Sequence, residues 1–330
     1  MSRHFLDRCG RRALLGLSLA LASLLAAPAM AQSYPNKPLV MVVPFPPGGP
    51  TDLVARVLAQ KLSEQMGQSI VIDNKPGANG NIAAAAVSKA PADGYTLLYN
   101  TSSITLSPAL YKSLTYDVQK HLAPIALTAV VPLALVVHPN LPVNNVREFI
   151  AYAKANPGRL SYGSAGNGNV THLAAYQFVA SQGIEATHVP YRGSAPADVD
   201  LVAGQIQFMT DTINSVMPFV KDKKLKLLAM TTSKRVSLFP EVPTLSETVM
   251  PGFEAGAWQG LMVPAGTPAA VVQRLNAEVN KALHSADVRE KLAVQGAEPL
   301  GSTPEEYGAY IKRELGRWAD VVKATGVTLD

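Results

Sequence analysis

Three turns of the sequence carry residue types that can hold a small anion without a positive charge. The first, PFPPGGPTD at 44–52, stands between an apolar run and a helix-like run. Its prolines restrict the free loop, its glycines let the backbone approach a ligand, and Pro50 suits the first position of a helix. The N–H groups at such a helix start attract negative charge. On this turn alone, an anion site and a rigid strand–helix connection are both open interpretations.

A second turn of the same kind favours the anion site. The segment YGSAGNGNVTHLAA, at 162–175, again passes from a strand through glycines into a helix, with hydroxyl and amide groups from Ser164, Asn167, Asn169 and Thr171. Two helix N-termini that face each other across a cleft would bind a small anion in a largely neutral clamp. We therefore predict that the two turns lie on opposite sides of a ligand.

Further polar residues fall at predicted strand ends. Thr101, Ser102 and Ser103 follow the strand GYTLLYN, and Asp211 ends the strand QIQFMTD. Asp211 is expected to face the cleft and to accept a hydrogen bond from an amino or hydroxyl group of the ligand. Asp52 is interpreted either as a ligand residue or as a first-turn acid that the helix dipole stabilises.

Catalytic and metal chemistry find little support in the sequence. The segment YGSAG departs from the nucleophile elbow G-x-S-x-G because Tyr162 stands at the position of the leading glycine. His172 lies on the following helix and is predicted to line or cap the site rather than act as a base, and His188 is interpreted as a strand-end residue. No H-E-x-x-H or comparable spacing indicates a metal site. We expect neither an enzyme nor a cofactor.

Strands that alternate with helices must position these turns. The run KPLVMVVPF predicts a buried strand, and residues 51–66 predict a helix with leucines and valines on one face. Such alternation is typical of parallel sheets with helices on both faces, and about 300 residues is large for one such core. We predict an α/β protein of two lobes with a ligand cleft between them.

Two apolar stretches are the predicted crossovers between the lobes. AVVPLALVVHP belongs to a segment that is long for one strand and is expected to be interrupted at Pro132, and AWQGLMVPAGTP is the second crossover. If both cross, the first lobe is discontinuous and consists of residues 32–134 plus 255–330. The second lobe then consists of residues 135–254.

The N-terminus has the pattern of a secretory signal peptide. Four arginines precede an apolar stretch that ends in Ala29-Met30-Ala31, so residues 1–31 are predicted to be removed by cleavage after Ala31. The stretch is short for a membrane span, although an uncleaved anchor stays open as the alternative. Arg11-Arg12 leaves twin-arginine export open beside the general pathway. We predict an exported protein.

Removal of the signal peptide changes the charge and the cysteine content. Residues 1–31 hold four arginines and Asp7, a net +3, so the net charge falls from +5 to +2. The remaining chain has no basic run that would indicate a nucleic acid partner. Cys9 is the single cysteine, and its loss excludes a disulfide, a thiol nucleophile and a thiolate metal ligand from the mature chain.

Five motifs follow one another in order along the chain. They are PFPPGGPTD, NKPGANGNIAAAAVSKAPADGYTLL, SYGSAGNGNVTHLAA, VPYRGSAPADVDLVAGQIQFMTD and FPEVPTLSE. This set resembles the substrate-binding receptors of tripartite tricarboxylate transporters, also called Bug-type periplasmic receptors, from Tyr34 to the C-terminal helices. The resemblance implies the two-domain type II periplasmic binding protein fold, whose two lobes are joined by two crossover strands and close on the ligand like a hinge.

The resemblance also implies which residues bind the ligand. The loops at Phe45–Asp52 and Ser164–His172 would grip a carboxylate from opposite sides through backbone N–H groups, hydroxyls and ordered waters, with Thr51 and Ser164 as hydroxyl donors. Pro46 is left out because it has no N–H. The predicted site residues are Phe45, Pro47, Gly48, Gly49, Thr51, Asp52, Thr101, Ser102, Ser164, Gly166, Asn167, Gly168, His172 and Asp211.

The implied function is capture of a small carboxylate in the periplasm and its delivery to a transporter of one large and one small membrane subunit. A monomer is expected. The ligand itself does not transfer, because members of the family bind dicarboxylates, tricarboxylates, amino acids and aromatic acids. An alternative function stays open, that of an orphan or signalling receptor that presents the bound acid to a sensor protein.

Overall fold

Strands and helices alternate along the residues that the computed structural model describes, which are 34–236, 238–325 and 329. The predicted signal peptide and its cleavage site lie outside the described residues. The strands are β1 Leu39–Val43, β2 Ile70–Asn74, β3 Thr96–Thr101, β4 Leu122–Val137, β5 Leu160–Ser164, β6 Ala186–Pro190, β7 Phe208–Thr212, β8 Lys226–Met230, β9 Gly256–Pro264 and β10 Glu298–Pro299. The helices are α1 Pro50–Met66, α2 Asn81–Ser88, α3 Ser103–Leu110, α4 Val118–His121, α5 Val146–Ala155, α6 Val170–Gln182, α7 Ser194–Val202, α8 Ile213–Lys221, α9 Leu245–Thr248, α10 Ala269–His284, α11 Ala286–Val294 and α12 Pro304–Thr325.

The long strand β4 joins two sets of strands. Its first part pairs with β9, and through β9 it connects to β3, β1 and β2. Its second part pairs with β7 and β8, and through β7 it connects to β5 and β6. Within the two sets, β1 is parallel to β2 and β3, and β5 is parallel to β6 and β7. The predicted alternation of parallel strands and helices is confirmed.

The sequence-based prediction that the strand is interrupted at Pro132 is wrong, because β4 is continuous from Leu122 to Val137. Pro132 is the last residue paired with β9, and Leu133 is the first residue paired with β7. A proline lacks the N–H that a ladder hydrogen bond needs, and the change of partner strand occurs at this residue. The exchange of partners also falls close to the predicted lobe boundary at 134, although the exact boundaries stay a prediction.

Burial explains why β4 is so apolar. Residues 133–137 are all 0% exposed, and 134–137 pair on both edges, so that part of the strand needs hydrophobic side chains on both faces. One core cluster collects Leu133, Leu135 and Val137 with three phenylalanines whose rings are in contact, Phe149, Phe178 and Phe208. A second cluster lies around Trp258 and Tyr307. Helices α3 and α12 contribute to the first cluster even though the sequence prediction assigns both to the first lobe.

The topology brings the polar turns to the carboxyl ends of strands. The turn at 44–52 connects β1 to α1, the turn at 164–170 connects β5 to α6, and Ser102 connects β3 to α3. Since β1 and β3 are parallel neighbours, their two turns lie at one edge of the same sheet. This is the place where open α/β sheets bind ligands.

Candidate functional site

The first turn is held by the carboxylate of Asp52, which is 1% exposed. Its Oδ2 accepts hydrogen bonds from the N–H of Gly48 and from Nε of Arg56, both at 2.8 Å, and its Oδ1 accepts one from the amide of Asn74 at 2.9 Å. The same amide donates to the carbonyl of Phe45. Gly48 has a φ of +77°, in the left-handed region that favours glycine. The buried side chain of Asp52 therefore fixes the shape of the turn.

Electrostatics keeps this carboxylate charged. Burial raises the pKa of Asp52, but the hydrogen bonds from Arg56, Gly48 and Asn74 outweigh burial and leave that pKa below its ordinary value. Both carboxylate oxygens already have partners, so the geometry favours the structural interpretation of Asp52 over direct ligand contact. The prediction that Asp52 is a ligand residue remains untested.

The second turn uses its own side chains in the same way. Three of its N–H groups donate to side chains of the turn and of the first turn of α6: Ala165 to Oγ1 of Thr171 at 2.9 Å, Gly166 to Oγ of Ser164 at 3.2 Å, and Gly168 to Nδ1 of His172 at 3.1 Å. Asn169 caps the helix, because its Oδ1 accepts from the N–H of Thr171. Gly166 and Gly168 have φ values of +133° and +69°, which other residues rarely adopt.

Some N–H groups of the two turns stay available for a ligand. No described residue accepts a hydrogen bond from the N–H groups of Thr51 and Asp52 at the start of α1, or from those of Val170 and His172 at the start of α6. The same holds for Asn167, which is exposed at the tip of the second turn. Free N–H groups at a helix start carry partial positive charge, so each turn can bind an anion.

The two turns are connected by a segment that the sequence prediction did not assign to the site. Nδ2 of Asn79 lies 3.4 Å from the carbonyl oxygen of Gly168 and donates to it. The neighbouring Gly80 lies against Pro44 of the first turn and Ser103 of the third. The glycine and asparagine content of NKPGANGN, between a strand and a helix, is the signal that could have identified this segment.

A small pocket lies where this segment meets the first and third turns. Its lining includes Pro44, Asn79, Asn81 and Thr101. Asn81 is 8% exposed, its Oδ1 accepts from the hydroxyl of Tyr116, and its Nδ2 is buried with no partner among the described residues. The structure thus brings the first and third turns together.

The side chains of the third turn, residues 101–103, are buried. Oγ1 of Thr101 is 2.8 Å from Oγ of Ser103, and Ser102 is 2% exposed with its N–H bonded to the carbonyl of Trp258. Thr101 and Ser103 line the pocket, and the N–H of Ser102 anchors the strand end. Their predicted role in ligand selection is not tested by these contacts.

Asp211 lies behind the second turn. It is 0% exposed, and its Oδ1 accepts from the hydroxyl of Ser194 at 2.8 Å and from the N–H of Thr212. Burial raises its pKa. Its Oδ2 has no partner among the described residues. The chain connects Asp211 to the second turn, because Gly193, next to Ser194, donates to the carbonyl of Ala165.

Ser164 contacts a side chain that no sequence pattern pointed to, that of His188. Oγ of Ser164 lies 2.7 Å from Nε2 of His188, and Ser164 is 0% exposed. A hydroxyl beside an imidazole resembles a nucleophile and its base, but no described carboxylate bonds to His188 and the hydroxyl is closed to solvent. The pair therefore lacks both the orienting acid and the access that nucleophilic catalysis needs.

Metal and membrane features are not found in the part of the chain that the structure describes. No group of three or more histidine, cysteine, aspartate or glutamate side chains in it is arranged to hold a metal ion. Within the same residues, no helix combines the length and the hydropathy that a membrane span requires.

Comparison with known proteins identifies the class that this fold and site belong to. The family model described as the tripartite tricarboxylate transporter family receptor, TctC, matches residues 54–327. The chain therefore belongs to this family of periplasmic solute receptors, and the predicted resemblance is confirmed. BugT of Bordetella pertussis is 40% identical over 319 residues, which cover 96% of this chain and 98% of BugT.

Solved structures show the same fold. Rpa4515 of R. palustris, solved with adipate, is 39% identical with a TM-score of 0.84, and the match covers 89% of this chain and 99% of that one. MatC from Rhodopseudomonas palustris, with bound malate, is 35% identical with a TM-score of 0.79, covering 88% of this chain and 100% of MatC. The predicted two-lobe periplasmic binding protein fold is confirmed.

Proposed function

We propose that this protein is an extracytoplasmic solute receptor that binds a small organic acid and delivers it to a tripartite transporter with a large and a small membrane subunit. One observation carries the proposal: the starts of α1 and α6 both present N–H groups without an acceptor among the described residues. The turns at 44–52 and 164–172 contain no lysine or arginine, so these amides are the positive ends available there.

The free amides define how a carboxylate is held. One helix start offers the N–H groups of Thr51 and Asp52, and the other offers those of Val170 and His172. A hydrogen bond to a charged acceptor contributes about 1.5–3 kcal/mol, and a helix start adds about 0.3–1 kcal/mol for a negative charge. A carboxylate that contacts both helix starts gains from each turn, which favours the closed arrangement of the lobes.

Residues of the predicted site divide into two roles under this proposal. Thr51 and Asn167 lie at the accessible side of the turns and contact the ligand. The side chains of Asp52, Ser164 and His172 are buried and hydrogen-bonded to the turns themselves, so they fix the positions of the amides. This division of roles supports binding, because Asp52, Ser164 and His172 are already bonded within the turns that present the amides.

A dicarboxylate is the ligand class that we put first. Two relatives of this fold were solved with adipate and with malate, and both molecules are dicarboxylates. A charge-neutral clamp suits one carboxylate, and the polar residues around Asn79 and Asn81 lie beside it. The second carboxylate or another polar end would then reach towards that segment.

Titration calorimetry on the mature chain tests the proposal. Adipate, malate, glutamate and benzoate are titrated separately, and at least one is expected to bind with a Kd below 1 mM. The variant Thr51→Val should weaken that ligand about fivefold to tenfold, since it loses one hydroxyl hydrogen bond of roughly 1 kcal/mol. Thr115→Val, which removes an exposed hydroxyl elsewhere, is the control and should bind unchanged. Absence of binding by every organic acid would refute the receptor proposal.

Two cellular measurements test export and delivery. N-terminal sequencing of the protein from the periplasmic fraction should begin at Gln32, the residue after the predicted cleavage site. Uptake of the labelled acid should fall in cells without this receptor and recover when it is restored. If uptake is unchanged while a transcriptional response to the acid disappears, the receptor serves a sensor protein instead of a transporter.

A further inference from the structure

The second anion-binding turn rests on two stacked imidazoles. The rings of His172 and His188 have centroids 3.8 Å apart and an interplanar angle of 7°. His188 belongs to β6 and lies in register with Tyr162 of β5, which in turn lies in register with Phe208 of β7. The three side chains form one row on the sheet, with ring centroids 5.0 Å and 5.4 Å apart. His172, from α6, covers the end of this row.

Each imidazole contacts a different end of the turn. Nε2 of His188 is 2.7 Å from Oγ of Ser164, the last residue of β5. Nδ1 of His172 accepts the N–H of Gly168 at 3.1 Å, four residues before it in the chain. The stack of rings joins these two contacts, so the start and the end of the turn are tied to one rigid unit.

Only the uncharged form of His172 supports this arrangement. Its Nδ1 must carry a lone pair to accept the N–H of Gly168, whereas a protonated imidazole has donors on both nitrogens. Burial lowers the pKa of His172 to about 3, with a further contribution from His188, and burial lowers the pKa of His188 to about 4. Both rings are therefore neutral near pH 7.

We propose that His172 and His188 are positioning residues whose imidazole rings hold the turn at 164–168 in its anion-binding shape without themselves contacting the ligand. The inference rests on the proposed function for its effect on affinity, but its structural part does not need a ligand. Loss of either imidazole contact releases one end of the turn, and the carboxylate must then order that segment when it binds. An ordering cost near 1.4 kcal/mol weakens binding tenfold.

Paired substitutions separate the hydrogen bond from the ring. In His172→Asn the amide oxygen can take the place of Nδ1, and in His188→Gln the side-chain amide offers a donor and an acceptor in the place of Nε2. In His172→Phe and His188→Phe the aromatic ring stays and the hydrogen-bonding nitrogen is lost. We expect the phenylalanine variants to bind adipate or malate about tenfold more weakly than the wild type, and the amide variants to bind within threefold of it.

Hydrogen exchange of the Gly168 amide gives a readout without ligand. It should be slow in the wild type and in His172→Asn, and at least tenfold faster in His172→Phe. If the wild type binds no acid, the proposed function fails while this exchange result still decides the positioning role. Should a phenylalanine variant fail to fold, ¹⁵N NMR of the wild type decides instead, because Nδ1 of His172 must be unprotonated at pH 7.

Three results would overturn the inference. The first is unchanged affinity or unchanged Gly168 exchange in the phenylalanine variants. The second is equal loss of affinity in folded amide and phenylalanine variants, which would mean that an imidazole touches the ligand. The third is a protonated Nδ1 on His172.

Discussion

Substitution of Asp52 by asparagine tests the organisation of the first turn most directly. The carboxylate accepts hydrogen bonds from Gly48 and Arg56, both at 2.8 Å, and from Asn74 at 2.9 Å. Asparagine has the same shape but only one acceptor oxygen, so its NH₂ group must face at least one of these donors. The change keeps the packing and removes the charge.

The magnitude follows from these contacts. A hydrogen bond to a charged group contributes about 1.5–3 kcal/mol, whereas a solvent-exposed ion pair at i,i+4 contributes about 0.3–0.5 kcal/mol. The side chain of Arg56 is 50% exposed, so the contacts of Gly48 and Asn74 dominate. We expect Asp52→Asn to lower the free energy of unfolding by about 2–4 kcal/mol. Without its bond to Asp52, Gly48 must be ordered when the ligand binds. Ordering one residue costs about 1–2 kcal/mol, so the affinity for the ligand should fall near tenfold.

Urea denaturation followed by tryptophan fluorescence measures the first quantity, since Trp258 and Trp318 are both buried, and calorimetry with adipate or malate measures the second. Asp73→Asn is the matched control, because Asp73 is half-exposed and pairs only with Lys75 among the described residues. It should change neither quantity measurably. The reasoning would be refuted by an Asp52→Asn protein with the stability and the affinity of the wild type.

A pH series checks the sign of the contribution that Asp52 makes to stability. The pKa of Asp52 is lowered in the folded protein, so the unfolded chain binds a proton more readily. This contribution to stability is present above the unfolded pKa of about 3.9 and is lost as the pH falls through the lower folded value. The difference in urea midpoint between wild type and Asp52→Asn should therefore be constant from pH 5 to 7 and shrink below pH 4.

Two further predictions concern the interior. Gly260→Ala should lower the free energy of unfolding by about 1–3 kcal/mol or more, because the new Cβ would overlap the buried hydroxyl of Tyr307. Gly316→Ala should raise the free energy of unfolding by about 0.5–1 kcal/mol, because Gly316 lies in the interior of α12 with open space around it. The urea midpoints of the two variants check both signs, and equal midpoints would contradict the packing argument. Burial raises the pKa of Asp198, and the neighbouring Asp211 raises it further, so the folded protein binds protons more readily there and loses stability as the pH rises from about 4 through the raised values. Asp198→Asn should reduce that loss between pH 5 and pH 9, and a variant with the wild-type pH profile would show that the pKa of Asp198 is not raised in the folded protein.

Local patterns predicted the elements and the turns well. Alternating apolar runs predicted the strands and helices, and glycines beside hydroxyl residues predicted the turns within 44–52 and 162–175. Pro132 was misleading, because a proline usually marks the end of a strand, yet here it lies where β4 changes its partner. Pairing partners depend on distant segments, so no local pattern contains that information.

The sequence by itself predicted a class of binding chemistry. Two strand-to-helix turns with glycines, hydroxyls and no lysine or arginine can hold an anion only through backbone amides and hydroxyl groups, and the order of the motifs indicated the family. The tertiary structure decided which amides are free and which side chains support them. His188 contacts Ser164 across 24 residues of chain, and Asn79 contacts Gly168 across 89. Such contacts arise from strand pairing and from the approach of separate turns. Residue type alone does not predict them, because the partners are distant in sequence and meet only when the chain packs.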